Sequence, residues 1–324
     1  MMPRVAQVQK KKALQTMHFR MRIETITSAQ NPKIKNLLLL QEKSKARREQ
    51  GLFVVEGRRE LEHCLEAGFT VRTLFVCPEV AGEGALASLR SSDGPLSFQQ
   101  SDVPLSFRPS EARGEISFSD FSTSPSAPLE MTNLIEIPET LYRKVAYRDS
   151  TEGIIAEVEC RERRLEDLTL RENPLVVVLE SVEKPGNLGA VLRSADAARA
   201  DAVIVCDPLT DLYNPNLIRA SLGGVFTVPT VCATSAETIA WLRARGIRIL
   251  TAQLQDSSWY YDTDMTVGTA LIMGTESTGL TDIWREAADA HIKIPMLGRL
   301  DSLNVSVSAA ILLFEAVRQR NSSL

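Results

Sequence analysis

Cysteine and histidine are scarce in this chain, with five and three residues among 324. The cysteine count is odd and no C-x-x-C pair occurs, so neither a disulfide framework nor an ordinary zinc site fits the spacing. Reduced, mostly buried thiols are expected at Cys64, Cys77, Cys160, Cys206 and Cys232. Long apolar runs are missing too. Runs such as 37–40 and 176–179 fall far short of the roughly 20 residues that cross a bilayer. Lys10, Lys11 and Lys12 are followed by no apolar stretch or small-residue cleavage site, which argues against a secretory signal. A cytoplasmic protein is the expectation. A chain that is 44% hydrophobic and 24% charged is neither disordered throughout nor collagen-like, and it is long enough for one large or two medium domains.

What is present is an uneven charge. The first 50 residues hold twelve Lys and Arg against Glu24, Glu42 and Glu49, whereas the whole chain carries −4. Such asymmetry fits a polyanion-facing segment or, read more plainly, a solvated basic tail. Residues 1–22 read as a basic, flexible extension. Residues 31–49 have helical spacing with basic residues on one face, and 51–57 is a short β-branched and aromatic run closed by glycines. A helix at 58–67 stops at Gly68, and a strand follows at 71–77. From 84 to 131 the periodicity collapses into Ser, Pro, Gly and Phe, and Pro95-Leu96-Ser97-Phe98 recurs as Pro104-Leu105-Ser106-Phe107. That segment reads as a low-complexity insertion. The pattern resumes with a helix at 139–145 and a strand at 153–158. Residues 23–160 thus form a small α/β domain, 161–173 a charged linker, and 174–324 a second domain.

The second domain alternates strands (175–179, 202–206, 227–231, 247–252, 270–273, 290–294) with helices (188–199, 215–222, 236–245, 281–288, 305–318). That alternation predicts a mostly parallel sheet covered on both faces. Three loops follow predicted strands, where open α/β sheets place ligands. In the first, Gly186-Asn187-Leu188-Gly189 suits a tight turn with close backbone approach to a ligand, and a helix carrying Arg193 follows. It contains neither G-x-G-x-x-G nor a Walker Gly-Lys-Ser/Thr. The second, Gly274-Thr275-Glu276-Ser277-Thr278-Gly279-Leu280, sets an acid among small residues at the tip of a buried strand, where it needs a partner. In the third, Ser302 is a natural N-cap for the last helix.

Together, Asn187 with Arg193, Gly274-x-Glu276-x-x-Gly279-Leu280, Ile294-Pro295-Met296 and Ser302-Leu303-Asn304-Val305-Ser306 resemble the three motifs of the SpoU (TrmH) family of RNA ribose methyltransferases in the SPOUT superfamily. Tyr213-Asn214-Pro215-Asn216 and Arg219-Ala220-Ser221 resemble a further family segment. The likeness runs over 174–318. It extends more weakly to 26–80 and 139–158, which are similar to the family's ribosomal-protein-like substrate-binding domain. The resemblance implies a parallel sheet with a deep trefoil knot, where periodicity alone suggests an unknotted Rossmann-like sheet. It also implies S-adenosylmethionine as methyl donor, a ribose 2′-hydroxyl of structured RNA as acceptor, and a homodimer.

By the same resemblance Arg193, Asn187, Glu276, Ser302 and Asn304 are the candidate catalytic residues. Ala252, Gly274, Ile294, Met296 and Leu303 are the candidate cofactor-binding positions, largely through backbone groups. Arg193 is assigned as base in the family, but a guanidinium is always protonated and better suited to stabilising an alkoxide-like oxygen. No metal is implied. Lys33, Lys35, Lys43, Lys45, Arg47, Arg48, Arg58 and Arg59 are candidate RNA phosphate contacts. The extra N-terminal domain favours ribosomal over transfer RNA. A non-catalytic RNA-binding protein with the same fold and a base-methylating enzyme of the superfamily stay open as alternatives.

Overall fold

The computed structural model describes residues 22–82, 133–147, 152–275 and 278–321. The expected extension, apart from Arg22, and the expected insertion lie outside the described residues.

The N-terminal domain is built on a five-stranded sheet in the order β1 (Arg22–Thr25), β4 (Asn133–Glu136), β3 (Val71–Val76), β5 (Ile154–Glu159), β2 (Leu52–Glu56). β1, β4 and β3 are parallel, whereas β5 runs antiparallel to β3 and to β2. Neither β1 nor β4 is evident from sequence, because each is four residues long and borders a segment without periodicity.

The helix expected over 31–49 is in fact two, α1 (Pro32–Glu42) and α2 (Ser44–Gln50), broken where Lys43 turns extended. The break lets Arg47 fold back, so that its guanidinium donates to the carbonyls of Leu40 (2.6 Å) and Gln41 (3.1 Å) at the end of α1. Those carbonyls are among the four that every helix C-terminus leaves without an internal donor. α3 (Arg58–Glu66), α4 (Pro78–Ala81) and α5 (Glu139–Val145) complete this unit.

The second domain has seven parallel strands: β6 (Leu175–Glu180), β7 (Ala202–Cys206), β8 (Thr230–Ala233), β9 (Arg248–Ala252), β10 (Ser258–Trp259), β11 (Thr269–Met273) and β12 (Ala290–Lys293). Their order is β10-β12-β9-β11-β6-β7-β8. A Rossmann sheet would place β9 beside β6, but here β11 inserts between them.

β6, β7 and β11 are buried along their whole length, which explains why they read as continuous apolar runs rather than as alternations. The period of two appears instead in which core each side chain joins. Val177, Leu179, Val203, Val205, Leu271 and Met273 face one core, and Val176, Val178, Ile204, Ala270 and Ile272 face the other.

The first core is covered by α6 (Pro185–Ala197), α7 (Pro215–Ser221), the short α8 (Gly224–Thr227) and α11 (Val305–Asn321). The second is covered by α9 (Ser235–Ala244) and α10 (Asp282–Ala287), which bring in Trp241, Leu242 and Trp284. The strand expected at 227–231 begins at Thr230, because Gly223, with φ of +85°, starts α8 in its place. Leu165 and Leu168, within the expected charged linker, are buried against the second core.

Candidate active site

Because all seven strands run the same way, the loops leaving β6, β9, β11 and β12 emerge at one edge of the sheet. At that edge lies a cavity of about 470 Å³, within the range of small-molecule sites. Ala252, Gly274, Ile294, Met296 and Leu303, the five cofactor positions expected from sequence, all line it, and so does Ser302.

The wall after β11 is a tight backbone turn. Thr275 and Gly279 form an isolated antiparallel bridge, with N–H to O distances of 3.2 and 3.1 Å. A Cβ at Gly274 would sit 2.2 Å from the Gly279 carbonyl group. Only glycine permits that approach.

Glu180, at the C-terminus of β6, holds this wall from behind. Its carboxylate accepts from the Thr281 N–H (2.9 Å) and hydroxyl (2.6 Å), and the Ser235 hydroxyl lies 3.4 Å away. Ser235 in turn donates to Asp207 (2.7 Å) and accepts from the Trp284 indole (3.0 Å). Glu180 is buried, and a buried carboxylate needs such donors. Sequence reading missed its role, for which the only signal is an acid closing an apolar strand.

Asn187 and Asn304, 117 residues apart in sequence, are brought together, with the Asn304 amide donating to Asn187 Oδ1 at 3.2 Å. Asn304, not Ser302, caps α11. Its Oδ1 accepts from the Ser306 N–H (3.0 Å) and hydroxyl (2.6 Å), and its carbonyl accepts from the N–H groups of Val307 and Ser308. The exposed Ser302 hydroxyl is 3.3 Å from Asp301 Oδ1.

Arg193 is exposed on α6, six residues and about 9 Å beyond Asn187 along the helix, and is not among the residues lining the cavity. Glu276 lies outside the described residues. Gly189 serves a purpose other than the ligand approach expected of it. A Cβ there would meet Ala220 Cβ at 2.6 Å and the Leu217 carbonyl at 2.9 Å, so it lets α6 press against α7.

Of the expected RNA contacts, Arg47 is contradicted. It is buried and ion-paired to Asp211 at 2.6 Å, where no phosphate can reach it. Arg58 is half-buried and donates to the Ala81 carbonyl. Lys33, Lys35, Lys43, Lys45, Arg48 and Arg59 are exposed.

Of the five thiols, those of Cys64, Cys77 and Cys206 are buried, that of Cys160 is half-buried and that of Cys232 is exposed. Burial raises the Cys206 and Cys160 thiols to about 12 and Cys77 to about 11, and pushes Cys64 up strongly. Among the described residues no cluster of three or more His, Cys, Asp or Glu is placed to hold a metal ion, and no helix is long and apolar enough to cross a membrane.

Residues 174–314, from β6 into α11, match the model of the SpoU rRNA Methylase family, and residues 31–99 match the MRM3-like substrate binding domain. The chain belongs to the SpoU rRNA methylase family. Over 184 residues it is 39% identical to the 23S rRNA (guanosine-2′-O-)-methyltransferase RlmB of Vibrio vulnificus, covering 55% of this chain and 74% of that one. Over 191 residues it is 34% identical to a 23S rRNA (uridine(2479)-2′-O)-methyltransferase of Streptomyces viridochromogenes, covering 57% and 67%. The crystal structure of the SpoU methyltransferase AviRb from the same organism, in complex with AdoMet, superposes with a TM-score of 0.72 at 28% identity. That likeness spans 90% of this chain and all of AviRb, so it includes the N-terminal domain.

The cavity fits a cofactor of this kind on its own chemistry. Gln253, on its wall, has its buried Oε1 without a hydrogen-bond partner among the described residues, and an orphaned buried acceptor calls for a donor. Gly274 adds backbone close to the cavity without side-chain bulk, and Met273, Ile292 and Leu312 supply apolar surface.

Proposed function

We propose that this chain transfers the methyl group of S-adenosylmethionine to a ribose 2′-hydroxyl of ribosomal RNA. The observation that carries the reading is the cavity at the strand ends, with Asn187 and Asn304 joined at 3.2 Å and the five expected cofactor positions on its walls. Bound there, S-adenosylmethionine supplies an electrophilic methyl carried on a sulfonium.

The protein's part is to hold the acceptor hydroxyl in line and to stabilise the charge that grows on its oxygen. The Asn187–Asn304 pair fixes the start of α6 against the start of α11, which orients the face that meets the ribose. The Arg193 guanidinium stabilises the developing alkoxide, and a phosphate or water takes the proton. Glu276, outside the described residues, is proposed to orient Asn187 or Arg193, and Ser302 to hold the substrate loop. The exposed Lys33, Lys35, Lys45, Arg48 and Arg59 attract RNA phosphates and position the substrate without reading bases. The insertion of β11 between β6 and β9 supports a knotted passage of the last strand and helix. The reading places the protein in the cytoplasm.

The functional unit is a homodimer. Val307, Ile311 and Phe314 form one stripe on α11 at helical spacing, and Val307 and Phe314 are 46% and 49% exposed. α11 packs on α6, the helix that carries Arg193, and a second copy seated on this stripe completes the site in this reading. Phe314→Asp is expected to give monomers in analytical ultracentrifugation and to lose most turnover. A dimeric, fully active variant would overturn the interface.

The activity itself is tested with S-adenosylmethionine carrying a labelled methyl group and deproteinised 23S rRNA. The expected product is a nucleotide resistant to alkaline hydrolysis, which marks a blocked 2′-hydroxyl. Label on a base instead would favour a base methylase, and no measurable cofactor affinity would favour a non-catalytic RNA-binding protein.

A further inference from the structure

The two domains meet through a buried contact that the reaction described above does not use. Arg47 on α2, with its side chain 3% exposed, pairs with Asp211, 14% exposed, in the loop between β7 and α7. Asp211 also accepts from the Tyr213 N–H at 2.9 Å. The Tyr213 ring stacks on Phe53 of β2, with centroids 4.2 Å apart and planes 18° apart, and Phe69 and Phe226 close the cluster from either domain. The Tyr213 hydroxyl donates to the Arg161 carbonyl (2.6 Å) and accepts from the Arg161 N–H (3.0 Å), tying down the start of the interdomain segment. Burial lifts this phenol to about 12, so it stays a neutral donor at working pH.

Beyond Tyr213 the chain enters α7 at Pro215, and α7 is the helix against which Gly189 packs α6 with no room for a side chain. α6 carries Asn187 and Arg193. A continuous line of packed groups therefore runs from the basic surface of α1 and α2, through Arg47, Asp211, Tyr213 and α7, to the helix that bears the candidate catalytic residues.

We infer that Asp211 and Tyr213 are positioning residues that lock the RNA-binding domain in one orientation to α6, so that an RNA held on the basic face presents its ribose to the catalytic helix. The inference rests on the proposed methyl transfer. Its physical basis is preorganisation, since two surfaces fixed in register bind one RNA without the entropy cost of aligning them, whereas the same surfaces joined only by the 161–173 segment act at a limited effective concentration. Loss of the lock therefore weakens productive RNA binding rather than the chemical step. Arg47 itself is unsuited to the test, because it also caps α1.

Asp211→Ala is expected to raise KM for deproteinised 23S rRNA about tenfold, with kcat and the S-adenosylmethionine Kd within twofold of the unaltered protein. Asp211→Asn, which keeps the shape and one acceptor, should give a smaller rise in the same direction. A purely structural role would lower the folded fraction, and with it the apparent kcat, while leaving KM alone. An unchanged KM in either folded variant overturns the inference, and if Asp211→Ala does not fold, the Asn variant decides. Absence of methyl transfer by the unaltered protein refutes the proposed activity, whereas normal turnover beside an unaffected variant refutes the lock alone.

Discussion

Replacing Arg193 by alanine is expected to cut kcat by two to three orders of magnitude while leaving the S-adenosylmethionine Kd within twofold. The two readouts separate because Arg193 is exposed on α6 and is not among the residues lining the cavity. The size follows from its proposed task, since removing one preorganised donor from a developing oxyanion costs about 3–4 kcal/mol. Arg193→Lys should recover only part of the loss, because an ammonium keeps the charge but not the planar fork of the guanidinium. Single-turnover kinetics with labelled methyl donor, beside calorimetric titration of the cofactor, make the measurement. Near-normal turnover in Arg193→Ala would remove this residue from the catalytic set.

Gly274→Ala should have the opposite signature. The added methyl carbon falls 2.2 Å from both the carbon and the oxygen of the Gly279 carbonyl and 2.5 Å from the Leu280 nitrogen. All of these are backbone atoms, so no side-chain rotation relieves the clash and the turn itself must open. The Thr275–Gly279 bridge then breaks, and with it goes the wall of the cavity. The S-adenosylmethionine Kd is expected to rise about a hundredfold, equivalent to ~3 kcal/mol. Because Glu180 and Thr281 anchor the chain just beyond the turn, the rest of the fold should hold, and far-UV circular dichroism should change little. A variant that binds the cofactor normally would show that the turn is not part of its site.

The second domain was legible in the sequence because parallel strands buried on both faces leave long β-branched runs, as in Leu175–Glu180 and Ala202–Cys206. The candidate site motifs were legible through their resemblance to the SpoU family, and Asn187, Gly274, Ile294 and Asn304 stand at strand ends and helix starts. Fainter features escaped. β1 and β4 are four residues each, and they pair across the 84–131 segment, which has no periodicity. Gly189 was legible as a close-approach glycine, but the partner, α7 rather than a ligand, was not. Arg47 reads as one more surface charge in Ser44-Lys45-Ala46-Arg47-Arg48, and nothing in that pentapeptide distinguishes it from Arg48.

By itself the sequence determined the alternation of strands and helices and the strand-end loops, because propensity and periodicity act over a few residues, and its resemblance to the SpoU family supplied the candidate residues for methyl transfer. Tertiary structure alone decided that β11 enters between β6 and β9, that Asn304 reaches across 117 residues to Asn187, and that Arg47 is withdrawn from the basic surface to meet Asp211. Each of these depends on which distant backbone lies alongside, and a buried guanidinium is tolerable only where a carboxylate and two helix-end carbonyls happen to converge on it.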